Sequence, residues 1–479
     1  MSDRLKTAFI VVIMAICVLP LAAMLCGYEG QNLENRPLAV PARLFENGEF
    51  NEEFPMDFDA YFEDHFGFRE EMVTLVNSMT VAALGDALND DVVIGSGGMY
   101  YYAETLDDYT GTGRLSDAEL KCAARVIAML SEHAEAAGAE FSFAIAPNKN
   151  SIYPEYMPFY IVRSTETGNR ERLGEYLIQL GVDYIDLYAA LVEAKAAAGD
   201  ALVYHLHDTH WNMRGAVHYY RELMRRLGAP YEDYAAVEPV LTYDYSGDLH
   251  YFVSPAAAGA FEDVQYPTGE YEFADRANPA RDSVFETRSE ANEAALMLYR
   301  DSFANVLVPY VSSAVGRVRY SSVFPYDFTG LSDAAFDMVA IELVERNIAN
   351  LTDRVPLVEA RETECALEVA GSVEALAGYR TAQGRVTVYG CFDAKDYDAL
   401  TDALVVRVRA DGFERCYDAF PVFDTQAEAL AEGLHCVQPW GFALTLPAAL
   451  DAGEYSVELL VLRAGAACSS GELLRFTVG

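Results

Sequence analysis

Between Ser116 and about residue 350 the chain alternates apolar runs of strand length with amphipathic stretches of helix length. That alternation limits the fold to α/β with a mostly parallel sheet. Ser116–Ala137 has helical periodicity, and Glu140–Ala146 reads as a strand closed by Pro147-Asn148-Lys149. Glu171–Leu180 reads as a helix and Val182–Leu187 as a strand. Past Trp211, Asn212 is placed to cap a helix on which Ala216, Tyr220, Leu223 and Leu227 share a face, and Gly228 ends it. Ala294–Tyr299 reads as a buried strand with a helix after it to about Val315; Phe336–Ile341 is a further strand leading into a last helix. In such sheets functional groups gather at the carboxyl ends of strands.

The texture changes on both sides of this body. After Thr352, short runs (Arg385–Phe392, Ala403–Arg409, Trp440–Leu446, Tyr455–Leu462, Leu473–Val478) alternate with Gly, Asp and Pro turns, which predicts an all-β sandwich over 360–479. It reads as a separable accessory domain, so a chain ending near residue 355 is expected to keep its fold and activity. Trp440 and Tyr455 either fill its core or line a sugar-binding face. Upstream, an apolar run from Thr7 to Cys26 is long enough to span a bilayer, with Arg4 and Lys6 before it and Glu29 and Glu34 after it. Residues 1–26 are read as one transmembrane signal anchor with the bulk outside the cytoplasm; a cleaved signal peptide is the rival reading. Residues 27–60, with Pro37, Pro41 and Pro55, form a stalk, and 61–351 the α/β domain. Asp64–Leu84 is helical, and Asp91–Tyr102 a hairpin turning at Gly95-Ser96-Gly97-Gly98.

A formal net charge of −40 argues against nucleic acid and against an anionic membrane surface as partners. Of the eight cysteines, Cys122, Cys365, Cys391, Cys416, Cys436 and Cys468 lie outside the apolar run, with no Cys-x-x-Cys; they either pair or stay as buried thiols.

The chemistry concentrates in Asp208-Thr209-His210-Trp211-Asn212 and Arg300-Asp301-Ser302-Phe303. A serine hydroxyl attacks an acyl carbon when an imidazole takes its proton and a carboxylate orients that imidazole. Asp208 and His210, two apart in an extended segment, can face one site. Ser302 follows a strand and precedes a helix, a turn that leaves backbone N–H groups near the nucleophile. His205, His207, Asp208, His210 and His218 also suggest a metal site, but the aspartate is misplaced for a ligand run and later ligands are missing, so no metal or other cofactor is expected.

These residues, with Glu34-Asn35-Arg36-Pro37-Leu38, Tyr61-Phe62-Glu63-Asp64-His65-Phe66-Gly67-Phe68-Arg69, Gly95–Tyr102 and Ala146-Pro147-Asn148-Lys149-Asn150-Ser151-Ile152-Tyr153-Pro154-Glu155, resemble the SGNH-like polysaccharide O-acetyltransferases, the group containing the alginate O-acetylation proteins. The likeness runs from the apolar run to about residue 350 and implies an SGNH-like domain with Asp208, His210 and Ser302 as its triad. Arg300 departs from the pattern, standing where Gly commonly precedes the Asp-Ser pair; Asn148, Lys149 and Arg300 are candidates for oxyanion or substrate contact. The resemblance implies transfer of acetyl to hydroxyls of a cell-surface or secreted polysaccharide, with a multi-pass membrane O-acyltransferase supplying the acetyl. An acetyl esterase with the same triad, or a non-catalytic wall- or polysaccharide-binding assembly protein, are the alternatives.

The charge asymmetry across the apolar run makes a topological prediction. Protease added to intact cells, or to spheroplasts where an outer layer shields the surface, should digest everything beyond about residue 27. Complete protection would reverse the topology.

Overall fold

A computed structural model describes residues 3–28, 38–46, 48–279, 281–364, 368–382, 384–393, 397–423, 440–448, 450–463 and 465–478. Glu34–Pro37 of the resemblance, Cys365 and Cys436 lie outside these. Three helices come first: α1 (Asp3–Leu25), α2 (Phe54–His65) and α3 (Arg69–Leu84). A short hairpin, β1 (Val92–Ile94) and β2 (Tyr100–Tyr102), turns at residues 95–99 as expected.

The α/β body is built from α4 (Asp117–Ala136), β3 (Glu140–Ala146), α5 (Asn169–Gln179), β4 (Tyr184–Asp186), α6 (Leu187–Ala198), α7 (Met213–Leu227), a short α8 (Asp248–Val253), β5 (Glu272–Phe273), β6 (Val284–Arg288), β7 (Ala295–Tyr299), β8 (Arg317–Ser321) and β9 (Met338–Val344). Its seven-stranded sheet has the order β4-β3-β9-β7-β8-β6-β5. The first four pairings are parallel and the last two antiparallel. Strand alternation splits the side chains between two apolar layers. Phe141, Phe143, Ile145, Val339 and Ile341 pack with Leu130 of α4 and Leu173 of α5; Ala144, Leu296, Leu298 and Ala340 pack with Leu191 of α6 and Leu223 of α7. The sheet is therefore covered on both faces, as parallel sheets require.

Several elements form where the sequence places them, for readable reasons. Ser116 caps α4 through a capping box with Glu119. Asn212 caps α7 by accepting from the Gly215 N–H, and a Cβ at Gly215 would lie 2.4 Å from the Val203 carbonyl oxygen. Strand β9 differs: it runs past Ile341 to Val344, because Glu342 is a buried acid that continues the strand rather than ending it. The expected last helix is only two short turns, Glu345–Asn347 and Asn350–Asp353. Strands β6 and β8 carry no clear apolar signal, since arginines alternate with Val318 and Tyr320 along β8.

The C-terminal region is β10 (Val369–Ser372), β11 (Glu374–Ala382), β12 (Arg385–Asp393), β13 (Ala403–Ala410), β14 (Phe413–Val422), β15 (Trp440–Thr445), β16 (Gly453–Arg463) and β17 (Ala466–Val478). They pair in the order β10-β17-β16-β13-β14-β15-β12-β11. Strand β14 pairs with β13 along its first part and with β15 along its last, so one sheet folds over into two layers. The layers close on Val388, Phe392, Val406, Val408, Phe442, Leu444, Val457 and Leu459. Trp440 and Tyr455 belong to this core, only 9% and 4% exposed, and line no sugar-binding face. Cys122 and Cys468 are free thiols, and Cys416 is disulfide-bonded.

This β region is not a freely hung appendage. Phe420 and Val422 of β14 join the apolar cluster of Val126 and Leu130 on α4. The Cys122 thiol donates to the Pro421 carbonyl at 3.0 Å, Arg125 donates to the carbonyls of Ala399 and Leu400 at 2.6 and 2.7 Å, and Lys121 pairs with Asp398 at 2.7 Å. Separation near residue 355 would uncover that face of α4, which weighs against independent folding. A chain truncated there should aggregate or melt well below the full protein, measured by solubility and thermal unfolding; an equally stable soluble fragment would contradict the shared core. Within the intact protein, Phe420→Ala should cost about 3–5 kcal/mol.

Candidate active site

Strands β3, β7, β8 and β9 all end on one side of the sheet, with Tyr299 opposite both Ser321 and Ile341 and Val344 opposite Ala146. Ser302 lies just past β7, in ordinary right-handed backbone (φ −68°, ψ −21°), before the turn Phe303–Leu307. Asp301 fixes this turn: one carboxylate oxygen accepts from the Phe303 N–H at 2.8 Å and the other from the Val344 N–H at 2.6 Å.

The segment carrying Asp208 and His210 is a tight loop between Tyr204 and Trp211, which pair as an isolated antiparallel bridge. The Trp211 indole N–H donates to the Phe303 carbonyl at 2.8 Å and ties this loop to the serine turn. The structure brings Asp208, His210 and Ser302 into one line. Asp208 Oδ1 lies 2.7 Å from His210 Nδ1, and His210 Nε2 lies 2.7 Å from Ser302 Oγ. Asp208 can only accept, so it places the proton on Nδ1 and leaves Nε2 to receive that of the serine.

Asp208 is buried and fully engaged. Oδ1 also accepts from the His210 N–H at 2.7 Å, and Oδ2 accepts from the Tyr245 hydroxyl at 2.8 Å and the Asp248 N–H at 2.9 Å. Burial opposes its ionisation, but the charge and hydrogen bonds of His210 outweigh it and hold the carboxyl far below the usual range. Burial likewise opposes the imidazolium, but Asp208 outweighs it, with Asp248 behind it, and His210 sits above the ordinary value of 6.5. Asp248 Oδ2 is 3.7 Å from Nδ1. Arg346 pushes the value down. Its guanidinium lies 5.5 Å from the Phe303 ring, and its buried Nη1 has no hydrogen-bond partner.

The three further candidates divide. Lys149 donates to the carbonyls of Tyr100, Leu206 and Asp208 at 2.7, 2.9 and 3.0 Å, and burial pulls its pKa down to about 7. Two of these carbonyls belong to the loop carrying Asp208 and the third to hairpin strand β2, so Lys149 braces that loop against the hairpin and none of these contacts is to Ser302. Asn148 gives its N–H to Glu345 at 2.8 Å and its amide to Asp108 at 3.0 Å, again away from Ser302. Arg300 does share a cavity of about 400 Å³ with Ser302, Tyr326, Glu342 and Arg354. Its terminal nitrogens, however, donate to Asn305, Asp301 and Pro279.

Asp208, His210 and Asp248 lie close enough to hold a metal ion. An ion there would take the Nδ1 and carboxylate lone pairs that the hydrogen bonds now use, so the donor set fits a proton relay better than a metal. His205 and His207 instead stack on Tyr245 and Tyr100, at 4.0 and 3.8 Å. Tyr245, Asp248, Glu342 and Arg346 were not found from sequence. For Tyr245 and Asp248 the available signal was the long non-periodic stretch 229–283, the kind of segment that often carries function; Glu342 and Arg346 lie outside it. Gly247 sits within it, where a Cβ would lie 2.1 Å from the His207 carbonyl oxygen.

Residues 92–303 match the family described as SGNH hydrolase-like domain, acetyltransferase AlgX, and the match contains all three aligned residues. The α/β body is thus SGNH-like, and the resemblance drawn from the motifs holds. Similar solved structures include PatB1 of Bacillus cereus (17% identity, 54% of this chain and 96% of that one, TM-score 0.43). They also include the O-acetyltransferase domain of Pseudomonas putida AlgJ (18%, 54% and 92%, 0.38) and Pseudomonas aeruginosa AlgX (12%, 78% and 94%, 0.31). At these values the solved structures say nothing of substrate. No curated protein matches the chain.

The electrostatics predict a pH profile. His210 must be neutral to accept the serine proton, so the acid limb of kcat/KM should lie above pH 6.5. Asp248→Asn should move that limb to lower pH and Arg346→Gln to higher pH. Limbs that stay put in both variants would show that neither charge acts on the imidazole.

Proposed function

We propose that the protein is an extracytoplasmic O-acetyltransferase that carries acetyl on Ser302 and passes it to a hydroxyl of a cell-surface or secreted polysaccharide. The observation that carries this reading is the unbroken Asp208, His210, Ser302 hydrogen-bonded line within the acetyltransferase-like segment. His210 takes the serine proton as Oγ attacks the acetyl carbon, then returns it to the leaving group. In the second half it takes the proton of the incoming sugar hydroxyl, the new ester forms, and Oγ recovers its proton. Asp208 holds the ring and balances its charge. Helix α1, 23 residues long and the only described helix apolar and long enough to cross a membrane, would anchor the enzyme. Acetyl would arrive from a multi-pass membrane O-acyltransferase, as the resemblance implies. Water in place of the sugar would make the same triad an esterase; the family match favours transfer.

Ser302→Ala and His210→Ala should each lower turnover of a small acetyl ester about 10³-fold or more, with little further loss when combined. Asp208→Asn should be severe but leave more activity. A serine-reactive phosphonate should label Ser302, located by mass spectrometry of the peptide, and should label His210→Ala poorly. Activity that survives Ser302→Ala and disappears with a chelator would reject the reading. With labelled acetyl donor and oligosaccharide acceptor, label should enter the sugar; release only as acetate would make the protein an esterase.

A further inference from the structure

The motif Tyr61–Arg69 has no part in the catalytic line, and the structure places it elsewhere. It forms the end of α2, the corner at Gly67 and the start of α3. That corner rests on the last turns of α1. A Cβ at Gly67 would lie 2.5 Å from the Pro20 carbonyl oxygen and 2.7 Å from the Ala23 Cβ, so only glycine permits this approach. Beside it the Tyr28 and Phe68 rings are 4.8 Å apart, and the Tyr28 hydroxyl donates to Glu71 at 2.7 Å.

Helix α2 has 12 residues and buries none of them. Yet Phe54, Phe58, Phe62 and Phe66 follow one another at helical spacing, with successive rings 6.0, 6.3 and 5.3 Å apart. Asp57, Asp59 and Glu63 lie off that stripe. Phe58 is 49% exposed and Phe54, Phe62 and Phe66 are half-buried, so among the described residues this aromatic face is only partly covered. Its depth is set by α1. Pro20 and Ala23 lie five and two residues before Leu25, which at about 1.5 Å per residue is roughly 3–8 Å below the point where α1 ends. If α1 crosses a bilayer, the Gly67 corner must sit within the interfacial layer, where amphipathic helices insert by about 5–10 Å.

We propose that α2 and the Gly67 corner form a membrane-interface wedge, with the phenylalanine stripe in the outer headgroup–acyl boundary of the bilayer that α1 spans. This rests on the anchored reading of α1. The occupant is lipid because the Gly67 corner, at the end of the stripe, rests on α1, a helix long and apolar enough to cross a membrane. The off-stripe face is acidic, so attachment is apolar and suits zwitterionic lipid. The wedge would fix the height and tilt at which the catalytic domain meets its membrane-side acetyl source.

The two native tryptophans, Trp211 and Trp440, are buried and give a constant background. The full chain carrying Phe58→Trp, Phe62→Trp or Val12→Trp would be placed in phosphatidylcholine nanodiscs with or without brominated acyl chains. Brominated lipid should quench most of the added emission at all three positions. Quenching at Val12→Trp with none at Phe58→Trp and Phe62→Trp overturns the wedge and leaves the anchor standing. No quenching at Val12→Trp overturns the anchor, and the wedge with it.

Discussion

The buried Asp208 carboxylate is the point on which the site depends. It accepts from the imidazole and backbone of His210, from Tyr245 and from the Asp248 N–H. A carboxylate sealed from water is costly unless its lone pairs are satisfied, and here four donors do that. The consequence is directional: one imidazole nitrogen is committed to Asp208 and the other faces Ser302. Lys149 supports the same loop from behind, holding the carbonyls of Leu206 and Asp208.

The serine half of the site rests on a second buried polar frame. Asp301 pins the turn after β7 to β9, and its own N–H donates to Glu342 at 3.2 Å. Burial and the Asp301 charge push the Glu342 pKa well above the usual range. The serine turn is thus held at the ends of β7 and β9, and Trp211 bolts the Asp208–His210 loop to it. Such preorganisation aligns a nucleophile and base without reorganisation during the reaction.

Much of this was legible because it is local. Strand β3, the α7 cap at Asn212, the Asp208–His210 spacing and the turn at Ser302 each follow from a few adjacent residues. What was not legible is long-range. Nothing near Lys149 says that its protons go to residues 100, 206 and 208, and it reads as a plausible oxyanion donor until the fold is known. The strand reads as ending at Ile341 because Asp301, whose N–H donates to the buried Glu342, lies about forty residues away in sequence. Tyr245, Asp248 and Arg346 lie in or beside irregular segments whose side-chain destinations no periodicity predicts. The β region looked independent because its texture changes abruptly, while the α4 face it covers looks like any amphipathic helix.

In the proposed reaction, acetyl passes through an ester on Ser302. The most direct measurement is rapid acid quenching of the full chain during turnover of an activated acetyl ester, followed by peptide mass mapping. One acetyl group is expected, on the peptide carrying Ser302, discharged when an acceptor oligosaccharide is added before the quench. Continued turnover with acetyl on another residue, or on none, would contradict it.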